Sequence, residues 1–478
     1  MNKFYITIAI PYVNGKPHLG HALEYFQADT ARRYHYDLLG EETLLLSGAD
    51  ENALKNVQAA EKEGVPTQEF LDKNSKVFKE AFEKLGVKLD VFQRGSDQKL
   101  HWPGVQKLWQ LCLDNGDIYK KSYEGLYCIG CESFKIESEL TPEGLCPDHL
   151  KKPEVVKEEN YFFKLSKYQE RLIKLIESNT FKVTPDNKRA EALSFIKSGL
   201  EDFSVSRSKD RARGVGVPIP NDPTQVMYVW FDALSIYLTG IGYGTDDANF
   251  TKWWPANLQI IGKDINRFHT VYFPAMLLSA GLPISKEILI HSFINAPGGQ
   301  KMSKTLGNVV DPFEMIESVG IEGLRYYLLS QIPLAEDGEA SVERIKEVYN
   351  THLANGLGNL VARVAKLAEN NNFKTEELTD TELIFEPKVI GFLSEFKFNE
   401  ALGYIWESLI SETDRKINQE SPWKLTGNQL DIALKYYIHQ IQRVAFNLRP
   451  FLPETAEKIL KQFNGEIKSQ LPLFPRIS

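Results

Sequence analysis

The strongest constraint on the fold is a strand–turn–helix–strand pattern at the N-terminus that resumes near residue 257 after a long interruption. Lys3 to Ile10 is rich in β-branched and aromatic residues and stops at Pro11, and Tyr12 to Pro17 is a turn containing Asn14-Gly15. A helix is expected from near His18 to about Leu39, then a second apolar strand, Glu42 to Ser47, closing on Gly48-Ala49-Asp50. A βαβ unit of this kind predicts a parallel sheet. Asn257 to Ile261 reads as another strand, ending at Gly262-Lys263-Asp264, followed by a helix through Ala280 and a strand over Ile288 to Phe293. The two stretches are halves of one split sheet, separated by an insertion over about residues 100–227.

The insertion holds three of the four cysteines, a charged run from Lys151 to Glu159, and strand-like segments such as Val215 to Pro220. Past about residue 345, strands give way to helical periodicity. Leu353, Leu357, Leu360, Val361 and Val364 fall on one face, and further helical runs cover about 384–420 and 428–447. The expected class is α/β: a split Rossmann-like parallel-sheet domain with an insertion, followed by an all-helical domain. A length of 478 residues has room for about three domains at roughly 150 residues each. With 42% hydrophobic and 25% charged residues, the chain can build several cores, which excludes wholesale disorder. A net charge of −8 argues against a general nucleic-acid coat but leaves room for a local basic groove. The longest apolar stretch, Val271 to Ile284, is interrupted by Pro274, Ser279, Gly281 and Pro283, so it is not a membrane span. No small-residue cleavage site follows the first apolar run, and four cysteines are not a disulfide scaffold. A soluble, cytoplasmic protein is expected.

Three motifs carry chemistry. Pro17-His18-Leu19-Gly20-His21 lies where a strand gives way to a helix. Open α/β sheets bind ligands at the carboxyl ends of their strands, and a helix N-terminus there suits phosphate. Gly20 would let a flat base approach the backbone, and His18 and His21 share a helical face from which both could donate to phosphate oxygens. Alone, the tetrapeptide would pass for two ordinary histidines at a helix start. Lys301-Met302-Ser303-Lys304-Thr305 sits in a loop bounded by Pro297-Gly298-Gly299 and Gly307-Asn308. Two lysines there suit a polyphosphate, where preorganised cations accelerate loss of pyrophosphate. Cys128-x-x-Cys131 followed by Cys146-x-x-His149 has the paired spacing of a structural zinc knuckle, one ion per chain, with Cys112 left as a buried apolar thiol.

HLGH at the first strand–helix turn, with KMSKT after the last strand of a split sheet, resembles the paired HIGH-like and KMSKS-like signatures of class I aminoacyl-tRNA synthetases. Leu19 and Thr305 differ from those signatures, whereas His18, His21, Lys301 and Lys304, the residues the resemblance makes catalytic, are intact. The likeness sharpens to the methionyl-tRNA synthetase family over nearly the whole chain. It is carried by Ala9-Ile10-Pro11-Tyr12-Val13-Asn14-Gly15, Tyr228-Val229-Trp230-Phe231-Asp232-Ala233 and Gly262-Lys263-Asp264-Ile265 with Phe268-His269. It implies a methionine pocket of Ile10, Tyr12, Asp50, Trp230, Ala233, Tyr237, Ile265 and His269, with Asp50 on the substrate ammonium. It implies an ATP site of Tyr12, His18, Gly20, His21, Glu24, Gly262, Asp264, Lys301 and Lys304. It assigns Asn359, Arg363 and Trp423 to the CAU anticodon, where splayed bases stack on aromatics and are read along their edges. Leu234 replaces the family's usual Pro, and Asp50 is followed by Glu51-Asn52 where Glu-His is usual.

The activity implied is methionine–tRNA ligation. Methionine is activated by ATP with Mg2+ to the adenylate and passed to the 3' end of tRNA(Met), initiator included. The chain is parsed as the first half of the catalytic domain over 1–100, the zinc-knuckle insertion over 101–227 and the second half over 228–295. The KMSKS-like loop and stem-contact region then covers 296–350, and the helical anticodon-binding domain covers 351–478. Against a valine or isoleucine enzyme, the insertion is too short for an editing domain; against a cysteine enzyme, the zinc ligands lie away from the pocket strands. A catalytically silent zinc-containing tRNA-binding protein would not need intact HLGH and KMSKT. With no appended tRNA-binding domain after the helical region, a monomer is expected.

Overall fold

Apolar runs covered on both faces form the predicted parallel sheet. All but the first of the six residues of Lys3–Ile8 are buried, as are all five of Leu258–Gly262, the continuous pattern of a sheet with no solvent face. The computed structural model describes residues 2–129, 133–135, 137–147, 150–302, 308–375 and 383–477. Cys131, His149 and Lys304, with Gly130, Ser303, Thr305 and Gly307, lie outside the described residues. The chain divides into two units, Met1–Pro17 with Glu42–His291, and His18–Glu41 with Ser292–Ser478.

In the first unit, six strands run in the order Val91–Arg94, Glu42–Ala49, Lys3–Ile8, Leu258–Gly262, Glu287–His291 and Lys182–Thr184, every neighbouring pair parallel. The split read from the sequence is closed where Thr7 lies opposite Gln259. Gln259 Nε2 donates to Thr7 Oγ1 at 3.1 Å and Ser285 Oγ donates to Gln259 Oε1 at 2.7 Å, so the buried amide is satisfied on both sides. The chain leaves Lys3–Ile8 toward one edge of the sheet and Leu258–Gly262 toward the other. The carboxyl ends of these two strands therefore form a topological switch point, where such sheets bind ligands.

The outermost strand was not expected: Lys182–Thr184 comes from the insertion. Three residues are too few to show a period, and Lys182 and Thr184 are held instead by Glu287, at 2.9 and 2.7 Å. The insertion also builds a long antiparallel hairpin, Ile118–Cys128 with Glu154–Phe163. The strand expected over Val215 to Pro220 is shorter, Pro218–Ile219, and turns at Asn221 (φ 65°) into Asp222–Met227. Asparagine tolerates that left-handed conformation better than most residues.

In the second unit, Leu19–Arg33 is α-helical and widens into a π-helical turn over Tyr34–Leu38, close to the predicted end. Beyond Ser292 helices dominate the described residues, among them Pro312–Gln331, Asn359–Asn370, Gly427–Leu448 and Pro453–Gln462. The predicted apolar stripe is core: Leu353, Leu357, Leu360, Val361 and Val364 are at most 2% exposed. Arg325, also 2% exposed, clips this unit together. It donates to Asp29 Oδ2 at 2.7 Å, Thr30 Oγ1 at 3.0 Å, and the carbonyls of Pro450 and Phe451 at 2.9 and 2.5 Å. No helix among the described residues is long and apolar enough to cross a membrane.

Candidate functional site

In the first unit, the carboxyl ends of adjacent strands bring the predicted amino-acid residues together. Beyond Lys3–Ile8 the chain continues through Ile10 to Tyr12, which forms a parallel bridge with Asp50; Asp50 N donates to the Pro11 carbonyl at 2.9 Å. Every residue of Val229–Thr239 is buried, including Trp230, Ala233 and Tyr237, and its polar residues Asp232, Ser235 and Thr239 are satisfied by buried hydrogen bonds. The Trp230 ring meets Tyr12 edge-on, centroids 6.2 Å apart at 85°. It stacks on Phe268 at 3.7 Å and 7°. Phe268 follows the turn Lys263–Ile265, so the second sheet half supplies the ring that covers the indole face. Trp230 Nε1 is buried without a hydrogen-bond partner among the described residues, an open donor in an otherwise apolar wall.

Tyr237, on the same helix as Trp230, meets His269, the residue after Phe268, with Oη 2.8 Å from Nε2. His269 Nδ1 lies 3.0 Å from the Ile265 carbonyl, which can only accept, so Nδ1 carries the hydrogen and Nε2 accepts from the tyrosine. Burial pushes His269 down to about 4, which keeps the imidazole neutral at pH 7. Asp50, 2% exposed, is then the one carboxylate among the predicted amino-acid residues. Gly262 opens the following turn, and a Cβ there would sit 2.9 Å from Asp264 Oδ1, because the exposed Asp264 folds back over it.

In the second unit, His18 and His21 cap the helix Leu19–Arg33 reciprocally. Gly20 N donates to His18 Nδ1, and His18 N donates to His21 Nδ1, each at 3.1 Å. A neutral imidazole that accepts at Nδ1 carries its hydrogen on Nε2, so both rings keep Nε2–H as donors at a helix N-terminus. Their centroids are 3.9 Å apart. A Cβ on Gly20 would lie 3.0 Å from His18 Cε1, so a larger residue there would crowd the histidine ring. Glu24, which would pass for an exposed helix residue, is buried at 4%. Lys301 is exposed after a turn built on Gly298 (φ 78°) and Gly299 (φ 72°), and Asn308 Nδ2 donates to its carbonyl at 3.3 Å.

The helical region brings two of the three anticodon candidates toward solvent: Asn359 is exposed, and Trp423 is 56% exposed on the short turn Pro422–Lys424. Arg363 is held by Asp414 at 2.5 Å and Asn418 at 2.7 Å. Both of those residues line a cavity of about 480 Å³ with Asn355, Arg415 and Gln419. Of the zinc candidates, Cys128 ends the strand Ile118–Cys128, and the Cys146 carbonyl accepts from Leu150 N at 2.8 Å; both thiols are buried. Two buried thiols are suitable zinc donors, and no set of three metal ligands occurs among the described residues. Cys112 is the apolar thiol expected, its pKa pushed up to about 12 by burial. His101 carries no signal in the sequence and Asn52 stands out only as a departure from the family pattern, because no local period links positions so far apart, yet both hydrogen-bond to Asp232 in the pocket helix, at 2.5 and 2.6 Å.

The family described as tRNA synthetases class I (M) matches residues 4–152 and 149–365. The chain is 40% identical over 483 residues to the methionine–tRNA ligase of Clostridium acetobutylicum, covering 97% of this chain and 74% of that protein. It is 38% identical over 484 residues to that of Thermotoga maritima, covering 98% and 76%. Among solved structures, Mycobacterium tuberculosis methionyl-tRNA synthetase in complex with methionyl-adenylate superposes with a TM-score of 0.90 at 34% identity, over 100% of both chains.

Proposed function

The chain belongs to the methionyl-tRNA synthetases of class I, and on that premise we propose how its side chains divide the work. It is a methionine–tRNA ligase: ATP activates methionine to the adenylate, and the aminoacyl group passes to tRNA. Mg2+ accompanies the ATP. In the first step, a methionine carboxylate oxygen attacks the α-phosphorus in line and pyrophosphate leaves. In the second, the terminal ribose hydroxyl attacks the adenylate carbonyl and AMP leaves. No covalent enzyme intermediate is required, so positioning and charge stabilisation carry both steps.

The observation that carries the assignment of roles is the uncharged aromatic cluster of Trp230, Phe268, Tyr237 and neutral His269, with Asp50 beside Tyr12. A thioether is unbranched and polarizable, and it suits an aromatic wall without ions. Asp50 takes the ammonium, while Ile10, Ala233 and Ile265 line the side-chain path. Tyr12, Gly20, Glu24, Gly262 and Asp264 belong to the ATP site with His18 and His21, whose Nε2–H donors, together with Lys301 and Lys304, meet the phosphates as charge moves onto them.

The insertion over 101–227 carries a structural zinc on Cys128, Cys131, Cys146 and His149, which would cross-link the end of its hairpin and take no part in the reaction. Metal analysis of the purified chain is expected to give one zinc, and Cys128→Ser should lose it and loosen the insertion. A metal-free preparation with an intact insertion contradicts this. The region over 351–478 reads the anticodon of tRNA(Met), initiator included, through Asn359, Arg363 and Trp423, and the enzyme works as a cytoplasmic monomer. Trp423→Ala and Arg363→Ala are each expected to weaken aminoacylation by about 1–3 kcal/mol, the worth of one stacked base, with methionine activation intact. Equal damage to pyrophosphate exchange would assign these residues to folding instead.

A further inference from the structure

A buried polar chain in the first unit has no part in the roles assigned above. Asp232 lies between Trp230 and Ala233 on the helix Val229–Thr239 and is 1% exposed. His101, 0% exposed, places Nε2 2.5 Å from Asp232 Oδ1 and Nδ1 2.7 Å from Thr239 Oγ1. Asn52, two residues after Asp50, donates from Nδ2 to Asp232 Oδ2 at 2.6 Å and to the Gly95 carbonyl at 2.9 Å. The four side chains form one line from the loop that carries Asp50 to the first and last turns of the helix that carries Trp230, Ala233 and Tyr237.

The surrounding packing is shaped to admit this line. His101 immediately precedes the helix Trp102–Asp114. A Cβ on Gly104 would fall 2.2 Å from the Tyr243 carbonyl and 2.5 Å from Thr239 Cγ2, so only glycine lets the two segments close far enough. Glu51, between Asp50 and Asn52, is held separately by Ser75, Arg94 and Ser96, which fixes the loop on its other side. A buried carboxylate with an imidazole partner is seldom better for stability than an apolar pair of the same size. Its geometry, however, fixes one angle and one distance between the elements it joins.

We propose that Asn52, Asp232 and His101 are positioning residues of the amino-acid pocket, which set the distance between Asp50 and the aromatic wall around Trp230. This rests on the assignment of Asp50 and Trp230 to methionine. They act through those two residues, which hold the amino acid in ground and transition states alike. The mark of their loss is therefore a raised KM for methionine with kcat unchanged.

The test is methionine-dependent pyrophosphate exchange with full-length Asn52→Ala, His101→Leu and His101→Gln, beside Asp50→Asn as reference. Asn52→Ala and His101→Leu are expected to raise the methionine KM about tenfold, with kcat and the KM for ATP within about twofold. His101→Gln keeps an N–H donor for Asp232 and should restore most of the loss. If Asn52→Ala, at a half-buried site, leaves the methionine KM unchanged while Asp50→Asn raises it, the positioning role is wrong and the pocket assignment stands. If Asp50→Asn also leaves it unchanged, the pocket assignment itself fails. A parallel rise in both KM values with a fall in melting temperature, unrelieved by His101→Gln, would mean general structural damage and overturn the proposal.

Discussion

His21→Ala is expected to slow methionyl-adenylate formation by roughly 10²–10³-fold, or about 2.7–4 kcal/mol, without weakening methionine binding. His21 Nδ1 already accepts from His18 N at 3.1 Å, so its donor is Nε2–H, at the first turn of Leu19–Arg33. A donor placed there strengthens its contact as negative charge builds on the departing phosphates. An interaction made chiefly in the transition state appears in kcat and not in ground-state affinity. Lys301→Ala and Lys304→Ala should follow the same pattern. His21 also caps the helix, and losing a cap costs about 0.5–2 kcal/mol of stability. His21→Asn keeps a short acceptor for the cap but lacks the reach of the imidazole, so it should fold normally and remain slow. Trp230→Ala should do the reverse and mainly weaken methionine binding. Single-turnover adenylate formation beside equilibrium methionine binding separates the two classes. Wild-type rates for His21→Ala would remove it from the reaction.

The second large effect concerns stability. Arg325→Met is expected to destabilise the second unit by about 3–5 kcal/mol, the range for breaking one side of a buried ion pair. Burial pushes the Asp29 carboxyl upward, but Arg325, Arg33 and Arg32 outweigh it and hold it below the usual carboxylate range. Without Arg325, Asp29 keeps Arg33 at 2.7 Å and Arg32 at 3.2 Å. The Pro450 and Phe451 carbonyls lose their guanidinium donors. Arg325→Lys should recover little, because a single ammonium cannot serve four acceptors spread over a planar fork. Urea unfolding of the full chain followed by circular dichroism measures the loss. A midpoint within experimental error of wild type for Arg325→Met would show that the pair contributes no net stability.

What the sequence made legible was local. Lys3 to Ile10 and Asn257 to Ile261 are apolar runs whose period and punctuation suffice to read strands, and the stripe from Leu353 to Val364 needs only helical spacing. The two signatures were readable because their chemistry is compressed into five residues each. Lys182–Thr184 was not readable, since a three-residue edge strand is defined by the sheet it joins. Nor was the close fit of the His18 ring against Gly20, which depends on the rotamer of a side chain two residues away. Arg325 with Asp29, and His101 with Asp232, pair across long stretches of chain, and a single charged residue in a helix gives no sign that it will be buried.

Activation of methionine for transfer to tRNA is the property from which every role above follows. Amino-acid-dependent ATP–pyrophosphate exchange, run with each of the twenty amino acids, tests it most directly. Strong exchange is expected with methionine, little or none with the other nineteen, and charging of tRNA(Met) by the same preparation. Exchange led by a different amino acid, or no exchange at all from folded protein, would contradict it.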